Sequence, residues 1–339
     1  MGVKGLLKFL STNTYINNDE TNSCIQHIRF NDLREKTIVV DASIYMYRFK
    51  QEGDLAEMMY HFISLMRHYK VKLIFIFDGK PPEDKMDIIQ SRQTARQVAK
   101  TNYDSQKIQR DKLVELLELE YISKKPDPLR IKSYKNMISR LEFKIESNRR
   151  NSITLQYTDL ELVKRMLDMM GIYHTTPDQE ADSLCARFVT SGIAYACLTE
   201  DTDLFVYGCD RIVRGLDIFS KSMVLYSTKS IYKSMGVSLE EFQSICFLSG
   251  TDYFTSSMGG GINAVYEWYK TIRHNSESFI DITDNILEEN GINRSSLLCN
   301  YSCDQCDSDI TSYTHKCNSV RYDAILTKNT MRRHGFIYI

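Results

Sequence analysis

The sequence predicts an α/β fold with a mostly parallel central sheet flanked by helices. Three short apolar runs, at 37–41 (TIVVD), 71–78 (VKLIFIFD) and 193–201 (IAYACLTED), each end in an acid. Such runs are typical of strands that are buried on both faces of a parallel sheet. Residues 42–70 have apolar residues at helical spacing, which predicts a strand–helix–strand unit with a right-handed crossover.

The rest of the chain is predicted to be mainly helical. Helices are indicated at 157–170 (YTDLELVKRMLDMM) and at 177–192 (PDQEADSLCARFVTSG), and the pattern from residue 234 onward is helical. Three glycines at 259–261 form a turn between two of these helical segments. Glycine lets the backbone approach a ligand closely, and free N–H groups at the start of the next helix suit a phosphate.

The composition is ordinary for a globular protein of one large or two moderate domains, with 339 residues, 42% hydrophobic and 26% charged. No apolar run reaches the length of about 18 residues that a membrane span needs. The N-terminus MGVKGLLKFLS has no small-residue cleavage site, and we interpret it as a folded segment. Nine cysteines, most of them scattered among apolar neighbours, favour a reduced intracellular protein over a disulfide framework.

Charge is distributed unevenly along the chain. The net charge of −1 argues only weakly against nucleic acid, because residues 79–150 contain 17 Lys and Arg against 11 Asp and Glu, a net of +6. This stretch is polar and helical and has no strand signal. Long insertions between core strands are often functional. The alternative is a solvated helical hairpin of mixed charge.

Seven acids stand at positions that a parallel sheet would bring together at one edge. They are Asp41, Asp78, Asp201 and Asp203 at strand ends, Glu180 and Asp182 in the first turns of a helix, and Asp252 just after a helix. Open α/β sheets bind ligands at the carboxyl ends of their strands. Any one of these acids alone could be a helix cap or turn residue, but so many at such positions favour a shared site.

Seven carboxylates at one site would repel one another strongly, and hard divalent cations relieve that repulsion. Oxygen ligands favour Mg²⁺, with Mn²⁺ as a substitute. Two such ions activate a water molecule and stabilise the leaving oxygen in phosphodiester hydrolysis. Glu200 is not expected to be a ligand, because its side chain points away from that of Asp201 in an extended strand.

These acids lie in motifs that resemble the flap endonuclease and XPG family of structure-specific 5′ nucleases. The motifs, in order, are MGVKGLLKFL, VVDASIYMYRF, FIFDGKPPEDK, EADSLCA, LTEDTDLFVYG and LSGTDYFTSSMGGGI. The resemblance covers roughly residues 1 to 270. It implies a PIN-like nuclease core, a helical arch insertion and a helix–two-turn–helix element that binds DNA. A compact form of this kind resembles the versions found in large DNA viruses.

The resemblance also implies residue roles. The earlier acids would hold one ion and the later acids the other, with Asp252 acting through water. Lys85 and Arg92 would steady the scissile phosphate at the foot of the arch, as the catalytic basic residues. The expected DNA contacts are Gly2, Tyr47, Arg96, Gly259 and Gly261, with Tyr47 stacking on a base and Arg96 guiding a strand. For Lys85 and Arg96 the alternative is simple surface solvation.

The sequence departs from the family pattern in ways that concern substrate preference. Asp41 and Asp78 are only 37 residues apart, which leaves little room for a loop that wedges open a DNA junction. Asp78 and Glu180 are 102 residues apart, so we expect a long arch. The turn GGGINA contains no Lys or Arg, and the C-terminal MRRHGFIYI does not resemble a sliding-clamp-binding tail.

We therefore predict four regions along the chain. These are an N-terminal nuclease block (1–78), a basic helical arch insertion (79–156), an internal nuclease block with the helix–two-turn–helix (157–270) and a C-terminal tail (271–339). The tail contains CNYSCDQCDSDITSYTHKC, in which Cys303, Cys306, His315 and Cys317 could bind a structural Zn²⁺. The alternative is a set of free thiols.

The predicted function is Mg²⁺-dependent, structure-specific 5′ nuclease activity on branched or flapped DNA, in replication, recombination or repair. One alternative is a catalytically silent relative that binds DNA or protein. Others are an RNA nuclease or a four-way-junction resolvase of the same family. We expect a monomeric intracellular protein without a membrane segment, located in the nucleus, or in the host nucleus if the protein is viral.

Overall fold

The structure is a computed structural model that describes residues 2–13, 24–82, 85–252, 254, 260–275, 278–301, 307–316 and 322–333. A seven-stranded sheet forms its centre, with the strand order β1-β7-β6-β5-β2-β3-β4. The strands are β1 (Ile25–Arg29), β2 (Thr37–Asp41), β3 (Lys72–Ile76), β4 (Tyr173–Thr175), β5 (Ala196–Leu198), β6 (Arg211–Asp217) and β7 (Ser222–Ser227).

The sheet is mixed but mostly parallel, which confirms the predicted fold class. β4, β3, β2, β5 and β6 pair in parallel, and β7 runs antiparallel to both β6 and β1. Neighbours in the sheet that are distant in sequence are connected through helices, as expected for βαβ units. The carboxyl ends of the five parallel strands therefore share one edge.

Helices cover both faces of the sheet. They are α1 (Leu6–Asn13), α2 (Ala42–Glu52), α3 (Leu55–His68), α4 (Met86–Ile122), α5 (Pro128–Asn151), α6 (Tyr157–Met169), α7 (Ala181–Thr190), α8 (Asp203–Val206), α9 (Thr228–Met235), α10 (Leu239–Ser249), α11 (Gly261–His274), α12 (Phe279–Glu289), α13 (Arg294–Asn300), α14 (Asp307–Lys316) and α15 (Ala324–Arg333). A short 3₁₀ helix, Phe30–Leu33, follows β1.

The core has two layers because neighbouring strand residues point to opposite faces. In β2, Val39 packs into the layer beneath α7 and α10, whereas Ile38 and Val40 pack into the layer beneath α2, α3 and α6. All three side chains are at most 2% exposed. The run TIVVD is therefore apolar at every buried position because both faces of this strand are covered.

Two element boundaries differ from the predictions for physical reasons. The helical stretch 42–70 is two helices, because Asp54 caps α3 by accepting a hydrogen bond from the Glu57 N–H at 2.9 Å. The helix predicted to begin at 177 begins at Ala181. The residues before it form a bend, where the carbonyls of Asp178 and Gln179 accept hydrogen bonds from the backbone just after β3, at 3.1 and 2.8 Å.

The basic region is a helical hairpin formed by α4 and α5. At 1.5 Å per residue, the 37 residues of α4 span about 55 Å. The two helices contact each other along the hairpin, for example where Asn148 Nδ2 donates to Gln106 Oε1 at 3.0 Å. At the base of the hairpin, Arg149 Nη2 donates to the Gln51 carbonyl at 2.8 Å, which attaches α5 to the end of α2. The domain boundaries themselves stay predictions.

The C-terminal region contains helices α12 to α15. α15 packs on α6, where the Asp323 N–H donates to the Met169 carbonyl at 2.8 Å and Met331 is 1% exposed. Of the predicted zinc ligands, Cys303, Cys306 and Cys317 lie outside the described residues, as does the His315 side chain. The zinc site therefore stays a prediction. Among the described residues, no helix combines the length and apolar character that a membrane crossing requires.

Candidate active site

A cleft of about 510 Å³ opens at the carboxyl edge of the sheet. Six of the seven predicted acids line it, contributed by five separate segments of the chain. These six are Asp41, Asp78, Glu180, Asp182, Asp201 and Asp252. The seventh, Asp203, is buried directly behind Asp201, where its N–H donates to Asp201 Oδ1 at 3.0 Å. The fold therefore gathers the acids that the sequence singled out.

Asp41 is positioned from below by a buried threonine that the sequence analysis missed. Asp41 is the last residue of β2, and Thr199, just after β5, donates to Asp41 Oδ2 at 3.0 Å. The same hydroxyl accepts a bond from the Asp201 N–H at 3.0 Å. Thr199 thus connects one acid from each of two neighbouring strands. The signal in the sequence is a threonine directly before the acidic run.

Asp78 is positioned by the start of α7. Its Oδ1 accepts a hydrogen bond from the Ala181 N–H at 3.1 Å, where the positive end of the helix favours a carboxylate. Gly79 follows in a very narrow space, since a Cβ there would lie 2.0 Å from the Pro177 carbonyl oxygen. This close packing aligns the segment after β3 with Glu180, the residue at the N-cap position of α7.

Glu200 points away from the cleft, as its position next to Asp201 in the chain predicts. Its Oε1 accepts bonds from the Tyr45 hydroxyl at 3.1 Å and from the Gly215 N–H at 2.8 Å. Arg214, in β6, donates to the carbonyls of Asp201 at 2.6 Å and Glu200 at 2.5 Å. These bonds replace strand pairing, which explains why β5 ends at Leu198, before the predicted residue 201. The sequence analysis also missed Arg214, although a charged residue inside the apolar run RIVRGLD is a signal of such a role.

Two basic residues from the start of the hairpin reach into the cleft. Lys85 is 7% exposed, and its Nζ contacts Glu180 Oε2 at 2.6 Å. Arg92, on α4, contacts Asp252 Oδ2 at 2.7 Å. Within the described ranges, no group of three or more His, Cys, Asp or Glu side chains forms a preformed metal cage. In this arrangement two of the acids are neutralised by basic side chains.

The rim of the cleft carries an aromatic–cation pair. The Arg96 guanidinium carbon lies 4.8 Å from the centre of the Tyr47 ring, and both residues line the cleft. Such a pair presents a flat aromatic face and a positive charge side by side, an arrangement that suits a single nucleic-acid strand.

Of the three glycines predicted to contact DNA, the structure describes Gly2 and Gly261, and only Gly2 lies against the acids. Gly2 has a φ of 75°, and a Cβ there would lie 2.4 Å from Asp203 Oδ1, so the N-terminal segment passes against the acids. Gly261 has a φ of 65° and begins α11, but it is not among the cleft residues. Gly259 lies outside the described residues.

Burial and mutual repulsion dominate the electrostatics of the acids. Burial, and next the neighbouring Asp78, raise the pKa of Asp41 well above its usual value. The pKa of Asp182 and that of Asp203 are raised for the same reason, with Asp201 as the main neighbouring charge. Asp203 Oδ1 is also buried and has no hydrogen-bond partner among the described residues. These features fit a divalent cation, since bound positive charge would offset all of these costs.

Comparison with known protein families agrees with this geometry. The XPG N-terminal domain matches residues 1–99, and the XPG I-region matches residues 171–252. Together the two matches include more than half of the chain. The fold is that of the PIN-like nucleases. Within that class, the chain belongs to the XPG family, which includes the flap endonucleases.

Individual relatives are distant in sequence. Flap endonuclease 1 of Cryptosporidium muris is 27% identical over 80% of this chain and 55% of that protein. Flap endonuclease 1-B of Xenopus laevis is 24% identical over 92% of this chain and 77% of that protein. The chain thus spans little more than half the length of the Cryptosporidium relative.

Two solved structures share the fold. The catalytic core of Rad2 in complex with DNA substrate superposes with a TM-score of 0.54 at 18% identity, over 86% of this chain and 81% of that one. Human GEN1 in complex with Holliday junction DNA gives 0.52 at 21% identity, over 80% of this chain and 55% of that one. At such identities the likeness concerns the fold alone. The resemblance to compact viral forms stays a prediction.

Proposed function

We propose that the protein is a structure-specific 5′ nuclease that hydrolyses phosphodiester bonds in branched or flapped DNA. The observation that carries this proposal is the convergence of six acids from five chain segments on one cleft, with Lys85 and Arg92 reaching into it. Family membership and relatives named flap endonuclease 1 support it.

The cofactor in this proposal is a pair of Mg²⁺ ions, for which Mn²⁺ can substitute. Asp41, Asp78 and Glu180 would contribute to one side of the site, and Asp182, Asp201 and Asp203 to the other, with Asp252 acting through water. Ions bound there supply an activated water molecule and stabilise the leaving oxygen. Two observations support a bound cation: Asp203 Oδ1 is buried without a hydrogen-bond partner in the described part of the chain, and the pKa values of three carboxyl groups are raised.

The basic and aromatic residues would orient the substrate. When metal ions neutralise the acids, Lys85 and Arg92 become available to the scissile phosphate, where their charges would stabilise the transition state. Tyr47 and Arg96 would hold the strand at the rim by stacking and by charge. The hairpin formed by α4 and α5 adds a positively charged wall beside the cleft.

The test is cleavage of end-labelled DNA by the purified chain, with Mg²⁺ or with EDTA. The substrates are a 5′ flap, a nick, a gap, a four-way junction and a single strand, with a matched RNA strand alongside. Mg²⁺-dependent cutting near a junction supports the proposal, and the product map identifies the preferred branch. Binding without cutting on every substrate would favour a silent relative. Cutting confined to four-way junctions would favour a resolvase.

Further features of the proposal follow from the sequence. We propose a monomeric nuclear protein whose C-terminal cysteines and histidine hold a structural Zn²⁺. Zinc content of the purified chain, measured by atomic emission, tests the metal, since about one Zn²⁺ per chain is expected for a four-ligand site.

A further inference from the structure

The edge of the sheet opposite the cleft carries more basic than acidic side chains, although Glu35 and Asp210 also lie there. The first residues of β4, β3, β2, β5 and β6 lie side by side there. At about 4.8 Å per strand, this edge is about 19 Å long. Its basic residues are Lys36, Arg67, Lys70, Lys72 and Arg211. We call these five residues the basic edge.

Two of these cations lie over the same aromatic ring, that of Tyr195. Lys36 Nζ lies 3.8 Å from the centre of the Tyr195 ring, and the Arg211 guanidinium carbon lies 4.7 Å from it. The Lys36 carbonyl also accepts the Lys72 N–H at 2.9 Å, so Lys36 and Lys72 are neighbours across two strands. The ring face attracts both cations, so it keeps two positive charges on one side chain at this edge.

The backbone at this edge is also unusual. Lys70 has a φ of 57° and Glu35 a φ of 62°, a region that residues with a Cβ rarely adopt. The two strained residues meet, because the Glu35 N–H donates to the Lys70 carbonyl at 2.9 Å. The Glu35 carboxylate faces Arg34 at 3.7 Å. For Lys70 this conformation closes the last turn of α3, because the Val71 N–H donates to the Met66 carbonyl and the Lys70 N–H to the Arg67 carbonyl, both at 2.9 Å.

A cavity of about 400 Å³ adjoins the basic edge. Arg67, Lys70 and Lys72 line it together with Tyr173 and Tyr313. Among the described residues that line this cavity there is no Asp or Glu. It therefore combines concentrated positive charge with aromatic surface, which suits a phosphate-bearing chain better than an apolar ligand.

We propose that the basic edge binds the phosphate backbone of a nucleic acid as a second contact, separate from the cleft. The five residues of β2 place it about 17 Å from the acids, at about 3.3 Å per residue. A straight arm of about 30 base pairs, about 100 Å long, is long enough to span that distance along the side of the sheet. The proposal rests on the proposed function for the identity of the polyanion. Phosphate contacts of this kind position a nucleic acid without reading its sequence.

The test compares two lysine-to-glutamate variants that differ only in location. Lys72→Glu changes an exposed residue of the basic edge, and Lys233→Glu changes an exposed residue at the end of α9. Each variant is titrated in EDTA with a flap DNA whose arms are about 30 base pairs, or about 100 Å, long. A second flap DNA has arms of about 6 base pairs, or about 20 Å. Thermal unfolding checks that both variants fold.

Lys72→Glu is expected to weaken binding of the long-armed DNA about three- to tenfold. The slope of log K against log salt should fall by about one, because one phosphate contact is lost. Lys233→Glu should change neither quantity, and binding of the short-armed DNA should be unaffected by both variants. Lys70→Glu repeats the test at a second position. Equal losses in Lys72→Glu and Lys233→Glu, or no loss in Lys72→Glu, would overturn the proposal.

Cleavage is measured separately on the short-armed DNA with Mg²⁺. Lys72→Glu should cleave it at the rate of the unaltered protein, because the basic edge lies on the opposite side of the sheet. If the unaltered protein cuts no substrate, the proposed nuclease function fails. The binding comparison is unaffected by that result, so the two failures are distinguishable.

Discussion

The buried Arg214 is predicted to position the acid Asp201 through the backbone. Its guanidinium donates to the carbonyls of Glu200 and Asp201, and its side chain is 8% exposed. Hydrogen bonds from charged donors contribute about 1.5–3 kcal/mol each. Arg214→Lys keeps the charge but lacks the planar fork, so at most one of the two bonds is retained. We expect the free energy of unfolding to fall by about 2 kcal/mol.

The same change should loosen the turn that carries Asp201 and therefore weaken metal binding. If about 1.4 kcal/mol of this loss is a loss of Mg²⁺ binding free energy, the Mg²⁺ concentration for half-maximal cleavage rises tenfold. The assay is flap cleavage against Mg²⁺ concentration, with maximal rate and half-saturation fitted separately. Arg165→Lys, an exposed arginine on α6, is the matched control. An unchanged Mg²⁺ requirement in Arg214→Lys, together with unchanged thermal unfolding, would refute the reasoning.

Three further predictions concern the cleft and its support. Thr199→Val removes the hydroxyl that joins Asp41 to the Asp201 N–H, so denaturant unfolding should show a loss of about 1–3 kcal/mol, with slower cleavage; unchanged stability would contradict this. Gly79→Ala should cost about 3 kcal/mol or more, since its Cβ would lie 2.0 Å from a carbonyl oxygen. Gly192→Ala has open space around it but a φ of 78°, so it should cost only the smaller backbone penalty of about 1–2 kcal/mol. Asp41, Asp182 and Asp203 have raised pKa values, so the folded metal-free chain holds protons that the unfolded chain releases above about pH 4. Its stability should therefore decline as the pH rises, and Mg²⁺ should raise the melting temperature more near pH 7 than near pH 5; an equal rise at both would contradict this.

The sheet core and the acids were predictable because their signals are local. The runs that became β2 and β3 are apolar on both faces and end at or just before an acid, which is enough to place Asp41 and Asp78 at one edge. The order of the motifs identified the family. Glu200 points away from the cleft as predicted, but it follows the end of β5, and its direction is set by its bonds to Tyr45 and Gly215.

Other features depend on contacts that the sequence does not display. The antiparallel pair β6 and β7 was not predicted, although most residues of β7 alternate in burial. Arg214 and Thr199 act on acids from different strands, and their partners are known only once the sheet order is known. The contacts of Lys85 with Glu180 and of Arg92 with Asp252 join residues about 100 or more positions apart in the chain, beyond any periodicity argument.

The central claim is that the cleft acids catalyse cleavage of branched DNA. The most direct measurement is single-turnover cleavage of a 5′-flap DNA in Mg²⁺ by the unaltered protein, by Asp201→Asn and by Glu57→Gln, an exposed control on α3. The account predicts junction cleavage by the unaltered protein and by Glu57→Gln. It predicts a rate at least about a thousandfold lower for Asp201→Asn, with flap binding retained. Cleavage by Asp201→Asn at the rate of the unaltered protein would contradict the account.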